Sequence, residues 1–300
     1  VCSPLYHSVS VRFAGGTLLR GGTVLVLRRF DADLAARTLA SERPTTTFMA
    51  PTALGRVLRS DGAPPHLSSL RLLVHAGSAC PPALKEAAMA RTGPGVVWEF
   101  YGSTEGQFTV CPPEQWLAHP GTVGRARPGR RLSVDDDGTV WCEAPSFARF
   151  AYWRNPVATA AAWRGDAFTV GDLGRLDEEG FLYLDGRRED LVISGGVNVY
   201  PAEVEAVLAG APGVHEVAVF GVDDEAWGQR VCAAVVGAAD EEILRSFASE
   251  HLAPYKRPKS YVFPAELPRT ATGKILRRRL PSYLAAPAPA AGVSGGEDRG

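Results

Sequence analysis

Arg71-Leu72-Leu73-Val74-His75 runs into Ala76-Gly77-Ser78-Ala79, and Val96-Val97-Trp98-Glu99-Phe100 runs into Tyr101-Gly102-Ser103-Thr104-Glu105. Each begins as an apolar, β-rich run and ends in small residues, and Pro82–Arg91 between them reads as a helix. The same alternation extends upstream. Asp31 can cap a helix through Ala32–Ser41, Thr45–Met49 is β-rich, and Pro51 suits the first turn of a helix reaching Ser60. Strand and helix alternating at this pitch predict parallel strands joined by crossover helices. Ligands of such sheets bind beyond the carboxyl ends of the strands, where Ala76–Ala79 and Tyr101–Glu105 fall.

The texture changes further on. Leu132–Val134, Thr139–Glu143 and Phe181–Leu184 are short strands between Gly and Asp turns, which suggests a small antiparallel sheet or partial barrel. After Glu189, Pro201 opens an amphipathic helix through Ala209; Val214–Val222, Val231–Val236 and Ser260–Phe263 read as strands and Glu241–Leu252 as a helix. The expected fold class is therefore α/β: a partial doubly wound parallel sheet plus a small antiparallel β subdomain, followed by a small α+β C-terminal domain. The boundaries are 1–118 for the α/β part and 119–186 for the β-rich part, 187–190 for a connector, 191–284 for the small domain and 285–300 for an Ala/Pro/Gly-rich tail expected to be disordered.

Thirty-two Lys and Arg against 33 Asp and Glu leave a net charge of −1, so no global field calls for nucleic acid or a membrane surface. The basic run Arg277-Arg278-Arg279 reads as a solvated helix face. Five scattered cysteines without a CxxC pair favour reduced thiols in a cytoplasmic setting over disulfides or structural zinc. No apolar run is long enough for a bilayer span.

Four blocks in register carry the chemistry: Tyr101-Gly102-Ser103-Thr104-Glu105; Gly171-Asp172-Leu173-Gly174-Arg175; Gly186-Arg187-Arg188-Glu189-Asp190 leading into Ser194-Gly195-Gly196-Val197-Asn198-Val199-Tyr200-Pro201; and Pro268-Arg269-Thr270-Ala271-Thr272-Gly273-Lys274. Together they resemble the adenylate-forming superfamily, which comprises acyl-CoA and aryl-CoA synthetases, adenylation domains of nonribosomal peptide synthetases, and luciferases. The resemblance covers nearly all of residues 1–284. It implies an enzyme that joins a carboxylic acid to AMP from ATP and then passes the acyl group to a thiol.

Attack of a carboxylate on an α-phosphate crowds negative charge onto phosphate oxygens, so catalysis is positioning plus electrostatics. The Glu105 carboxylate can hold Mg²⁺ against phosphate oxygens, the Thr104 hydroxyl can donate to the α-phosphate, and Tyr101 offers a flat face to a purine. The resemblance assigns them those roles, with Gly102 and Ser103 beside the nucleotide; read alone, the pentapeptide is equally a polar turn. Asp172 can accept from a ribose diol and Arg187 can reach the same sugar or the phosphate, although the two could also form a plain salt bridge. The resemblance implies ribose contact. Lys274 is a mobile point charge after Gly273. The segment is no Walker A loop, since Pro268 and Ile275 stand where that pattern needs Gly and Ser or Thr. By resemblance, Lys274 touches the substrate carboxylate and the α-phosphate.

Glu189 falls at the family's hinge, commonly Asp or Lys, about which the small domain swings between adenylating and thioester-forming poses. Ser194, Gly195, Gly196 and Tyr200 then belong to the second pose, beside the pantetheine arm of coenzyme A, although a structural turn explains the glycines equally well. Pro4–Ser8 resembles the start of the acyl pocket, which gives His7 a place in that channel; a satisfied structural histidine is the other reading. Ala76, Gly77, Ser78 and Ala79 line the acyl and adenine floor. Glu99 stands where relatives place a group contacting the adenine amine, but an ionised carboxylate cannot donate a hydrogen bond.

Relatives carry a large stretch ahead of Pro4–Ser8, including a Ser/Thr/Gly-rich phosphate loop ending in Pro-Lys. Its absence here is expected to make the chain a fragment. The leading expectation is an AMP-forming acyl-CoA or aryl-CoA ligase using ATP, Mg²⁺ and coenzyme A. Alternatives are an adenylation enzyme loading a free-standing carrier protein and a non-catalytic remnant; luciferase-like oxidation has only the shared fold behind it.

Overall fold

A computed structural model describes residues 1–62, 67–270 and 273–285. From residue 286 the Ala/Pro/Gly-rich tail lies outside the described residues, as do Ala271 and Thr272 of the lysine motif.

The first unit is built on α1 (Ser8–Leu19), α2 (Ala32–Ser41), β1 (Thr46–Met49), α3 (Pro51–Arg59), β2 (Leu72–His75), α4 (Pro82–Thr92) and β3 (Val97–Glu99). The strands form a parallel sheet in the order β1-β2-β3, with Thr46 opposite Leu72 and His75 opposite Glu99. Local chemistry sets the ends of the helices. Asp31 caps α2 by accepting from the Leu34 N–H at 2.7 Å. α3 and α4 begin with Pro51 and Pro82, whose fixed φ suits a first turn. Ala35, Ala36 and Leu39 of α2, Leu54, Val57 and Leu58 of α3, and Ala88 of α4 pack with Met49, Leu73 and Val97 into one core. Phe48 points to the opposite face and meets Phe13 of α1 at 5.7 Å and Phe100 at 6.2 Å. The run Thr23–Leu27 joins no sheet; its Leu25 and Leu27 backbones bond Val1.

The middle unit is antiparallel, as the short strands imply. β4 (Thr109–Val110) pairs β5 (Arg125–Ala126) beside α5 (Pro113–Ala118). β6 (Arg131–Val134), β7 (Val140–Glu143), β8 (Trp163–Arg164) and β9 (Ala167–Phe168) make a sheet in the order β6-β7-β9-β8, with α6 (Pro156–Ala162) leading into β8. β10 (Asp172–Leu176) and β11 (Leu182–Arg187) form a long hairpin. Phe108, Val140, Cys142, Phe168 and Leu182 are its buried centre.

The last unit contains β12 (Val192–Ser194), β13 (Val197–Val199), α7 (Pro201–Leu208), β14 (Val214–Asp224), β15 (Gly228–Gly237), α8 (Glu241–His251), β16 (Ser260–Val262) and α9 (Pro281–Ala285). The sheet order is β13-β12-β15-β14, with β16 parallel to β15. α7 and α8 cover one face through Val204, Leu208, Leu244 and Ala248; Phe220, Cys232 and Ala234 face Leu267 and Leu280 on the other. The cysteines are free thiols. Among the described residues no helix is long and apolar enough to cross a membrane.

Arg277 does not lie on a solvated helix face. Its guanidinium donates to Asp190 at 2.8 Å, to the Val219 carbonyl at 2.8 Å and to Glu205. Burying Glu205 without a partner would be costly, and the arginine fork supplies one. Arg278 and Arg279 are exposed as expected.

Candidate active site

The carboxyl end of β3 turns back on itself immediately after Phe100. Tyr101 accepts from the Phe108 and Thr109 backbones, Gly102 bridges Gln107, and the Ser103 N–H donates to the Gly106 carbonyl at 2.8 Å. A Cβ on Gly102 would lie 2.7 Å from both the Gln107 Cα and the Gly106 carbonyl oxygen, so only glycine fits there. The tight turn holds Thr104 exposed and Glu105 half-buried at its tip.

Tyr101 packs its ring on Phe108 at 4.8 Å and donates its hydroxyl to Asp172 Oδ2 at 2.6 Å. Asp172, at the start of β10, lies opposite Arg187, at the end of β11, and Arg187 Nε sits 3.1 Å from Asp172 Oδ1. Burial pushes the Asp172 carboxyl up; Tyr101, Arg187 and Lys274 pull against it. The salt bridge left open by the sequence is therefore present. It does not exhaust Asp172: a carboxylate has about four acceptor positions, and among the described residues Tyr101 and Arg187 take one on each oxygen.

Lys274 is exposed on a loop of the last unit, and its charge is felt at Asp172. The Thr270 N–H donates to the Lys274 carbonyl at 2.8 Å and the Thr270 hydroxyl accepts from the Lys274 N–H at 3.1 Å. Arg269, which the sequence reading did not single out, anchors this loop. It donates to the Gly273 carbonyl at 2.6 Å, to Glu216 on β14 at 2.9 Å and to Thr52 of α3 in the first unit at 3.2 Å. Loss of solvent and the nearby Arg187 lower the Lys274 pKa, against the pull of Asp172, Asp190 and Glu189.

Glu105 completes the cluster. Burial opposes its charge, but Ser103, its own backbone, Tyr152 and Arg187 together hold its carboxyl below the usual range. Tyr152, also unnoticed in the sequence, donates to Glu105 Oε1 at 2.8 Å. A hard carboxylate oxygen beside an exposed Thr104 hydroxyl fits Mg²⁺, which takes one or two carboxylates and completes its shell with water and substrate phosphates. Among the described residues no group of three or more His, Cys, Asp or Glu could hold a metal ion.

The other candidates are placed as follows. Ala76 is buried; Gly77, Ser78 and Ala79 form the exposed turn after β2, with Gly77 at φ 97°. Glu99 is buried, and its carboxylate is turned to Lys85 Nζ at 2.6 Å, with His75 Nε2 at 3.8 Å. His7 precedes α1, its N–H donating to the Pro4 carbonyl. Gly195 and Gly196, at φ 59° and 77°, make the two-residue turn between β12 and β13, with Ser194 opposite Val197. The Gly195 N–H donates to the Trp227 carbonyl, and Tyr200 precedes the Pro201 start of α7. Glu189 is exposed and accepts from Arg187 at 3.3 Å.

A parallel sheet followed by antiparallel and α+β units, with Tyr101 and Arg187 paired on Asp172, defines the class. The chain belongs to the AMP-binding enzymes: residues 1–143 match the family described as AMP-binding enzyme, and 203–274 match the AMP-binding enzyme C-terminal domain. A 2-succinylbenzoate–CoA ligase of Geobacillus sp. (strain WCH70) is 36% identical over 296 residues, covering 94% of this chain and 60% of that protein. The amide bond synthetase McbA from Marinactinospora thermotolerans superposes with a TM-score of 0.83 at 33% identity, over 94% of this chain and 60% of its own. The o-succinylbenzoate CoA synthetase MenE from Bacillus subtilis, solved with the acyl-adenylate OSB-AMP, superposes at 0.80 with 30% identity, over 93% and 60%. The chain thus spans about 60% of the length of the curated relatives it matches.

Proposed function

We propose that this chain acts in an ATP-dependent acid–thiol ligase that proceeds through an acyl-AMP. The observation that carries the reading is the meeting on Asp172 of the Tyr101 hydroxyl at 2.6 Å and Arg187 Nε at 3.1 Å, with Lys274 near enough for its charge to lower the Asp172 carboxyl. Asp172 and Arg187 bind the ribose hydroxyls, and Tyr101 lays its free ring face on the purine. The substrate carboxylate attacks the α-phosphorus and pyrophosphate leaves; Lys274 and Thr104 meet the developing charge on the α-phosphate oxygens. Magnesium, held by Glu105, supplies charge neutralisation on the phosphates when bound. A thiol then displaces AMP from the acyl carbon.

Lys274 must withdraw before the thiol enters, and the short Arg188–Asp190 turn about Glu189, between units 1–186 and 191–284, is where the chain can swing. In the second pose Ser194–Gly196 and Tyr200 come to the cleft, where the small turn admits a pantetheine arm. Similarity to a CoA ligase favours coenzyme A as acceptor. The free cysteines suit a reducing cytoplasm.

The test is mass spectrometry of products from ATP, Mg²⁺, a mixed panel of carboxylic acids and, in separate arms, coenzyme A, carrier protein or amines. Lys274-dependent acyl-CoA supports the reading. An acylated carrier or an amide alone moves the acceptor; AMP production without any acid dependence overturns the ligase.

A further inference from the structure

Tyr152 lies on none of the four sequence blocks, yet its hydroxyl donates to Glu105 Oε1 at 2.8 Å. The surrounding segment is organised around that contact. The Tyr152 N–H donates to the Thr159 hydroxyl at 2.9 Å, and Thr159 in turn donates to the Asn155 carbonyl at 2.8 Å. Asn155 caps α6 by accepting from the Ala158 N–H at 3.0 Å. The Asn155 N–H closes back on the Tyr152 carbonyl at 3.2 Å. Between them, Arg154 sits at φ 51°, a left-handed conformation that a non-glycine residue holds only where its surroundings over-determine it. Phe150 buttresses the Tyr152 ring edge-on at 5.3 Å, and Trp163 Nε1 fixes the Phe150 carbonyl at 3.2 Å.

A carboxylate that holds a metal through one oxygen gains from a fixed donor on the other, which sets the rotamer and leaves the free lone pairs aimed outward. We infer that Tyr152 is a positioning residue that locks Glu105 with Oε1 engaged and Oε2 presented to the metal–phosphate group. The inference rests on the proposed role of Glu105. Its expected signature is weaker metal–nucleotide binding without loss of fold, because Tyr152→Phe keeps the ring and its packing against Phe150.

The experiment is Mn²⁺ electron paramagnetic resonance with ATP and the full 300-residue chain, comparing wild type, Tyr152→Phe and Glu105→Gln, with thermal melts and metal-free AMP titrations alongside. The inference expects about 10-fold or greater loss of Mn·ATP binding in Tyr152→Phe. Metal-free AMP affinity and melting temperature should be unchanged, and Glu105→Gln should lose at least as much. If Glu105→Gln loses binding and Tyr152→Phe does not, the inference falls while the role of Glu105 stands. If neither loses binding, both fall. Equal losses of AMP and Mn·ATP affinity in Tyr152→Phe reduce the residue to general packing and also overturn the inference.

Discussion

Replacing Lys85 by Met tests how charge is carried inside the sheet that supports the cleft. Lys85 on α4 is fully buried, its ammonium 2.6 Å from Glu99 on β3 and 4.8 Å from the ring centre of Trp116. His75, also fully buried, offers no compensation: desolvation, then Lys85, lowers its pKa to about 3, so it is neutral. Methionine preserves most of the side-chain volume, so the loss is mainly electrostatic. Glu99 without a partner either remains a buried anion or takes a proton. Protonating a carboxyl of ordinary pKa near 4.3 at pH 7 costs about 3.7 kcal/mol, at about 1.36 kcal/mol per unit, and that sets a ceiling on the charge contribution. Removing one partner of a buried pair costs about 3–5 kcal/mol, in agreement.

The sign with pH follows from burial, which raises the carboxyl in the folded variant above its unfolded value. Stability relative to wild type is then preserved in acid, below the unfolded carboxylate range, and lost as pH rises through the raised folded value. Urea unfolding of Lys85→Met should therefore show a deficit of about 3–4 kcal/mol at pH 7 that shrinks towards pH 5. The double variant Lys85→Met/Glu99→Leu should recover most of it. A Lys85→Met protein as stable as wild type at pH 7, or with a deficit independent of pH, would refute this account of the pair.

Three further outcomes follow from the cleft. Gly102→Ala forces a Cβ into the Gln107 and Gly106 backbones and should destabilise by about 1–3 kcal/mol, read by urea unfolding, with a larger loss of AMP affinity than of fold. Arg269→Ala removes the charged bonds to Gly273, Glu216 and Thr52; acyl-AMP formation should fall about tenfold or more while AMP affinity, read by calorimetry, holds. Lys274 acts as a cation, and desolvation followed by Arg187 lowers its pKa, so its charge is lost as pH rises through a value below 10.5. The rate of acyl-AMP formation should decline on that alkaline limb, and Lys274→Arg should remove the limb.

The fold was legible where local chemistry and burial agree. Asp31, Pro51, Pro82 and Pro201 mark helix starts, and alternating apolar runs mark β1 to β3. α1 was missed because Gly15 and Gly16 interrupt its middle, where glycine weakens a helix; packing of Phe13 on Phe48 holds it in place. The four blocks were legible through their spacing; in the structure Tyr101 and Arg187 meet Asp172 directly, and Lys274 is near enough for its charge to lower the Asp172 carboxyl. The residues that hold them were not. Lys85 is separated from Glu99 by 14 residues, Tyr152 from Glu105 by 47 and Arg277 from Glu205 by 72, and no periodicity links such pairs. Buried Lys85 resembles any helical lysine until its partner is placed. Arg277 was misread for the same reason: a run of three arginines gives no sign that one of them turns inward.

The most direct test of the central claim is calorimetric titration of the chain with AMP and with 2′,3′-dideoxy-AMP, for wild type and Asp172→Ala. Wild type should bind AMP and lose about tenfold or more when either the ribose hydroxyls or the Asp172 carboxylate is removed, with little further loss when both are absent. Absence of AMP binding, or binding indifferent to the hydroxyls and to Asp172, would contradict it.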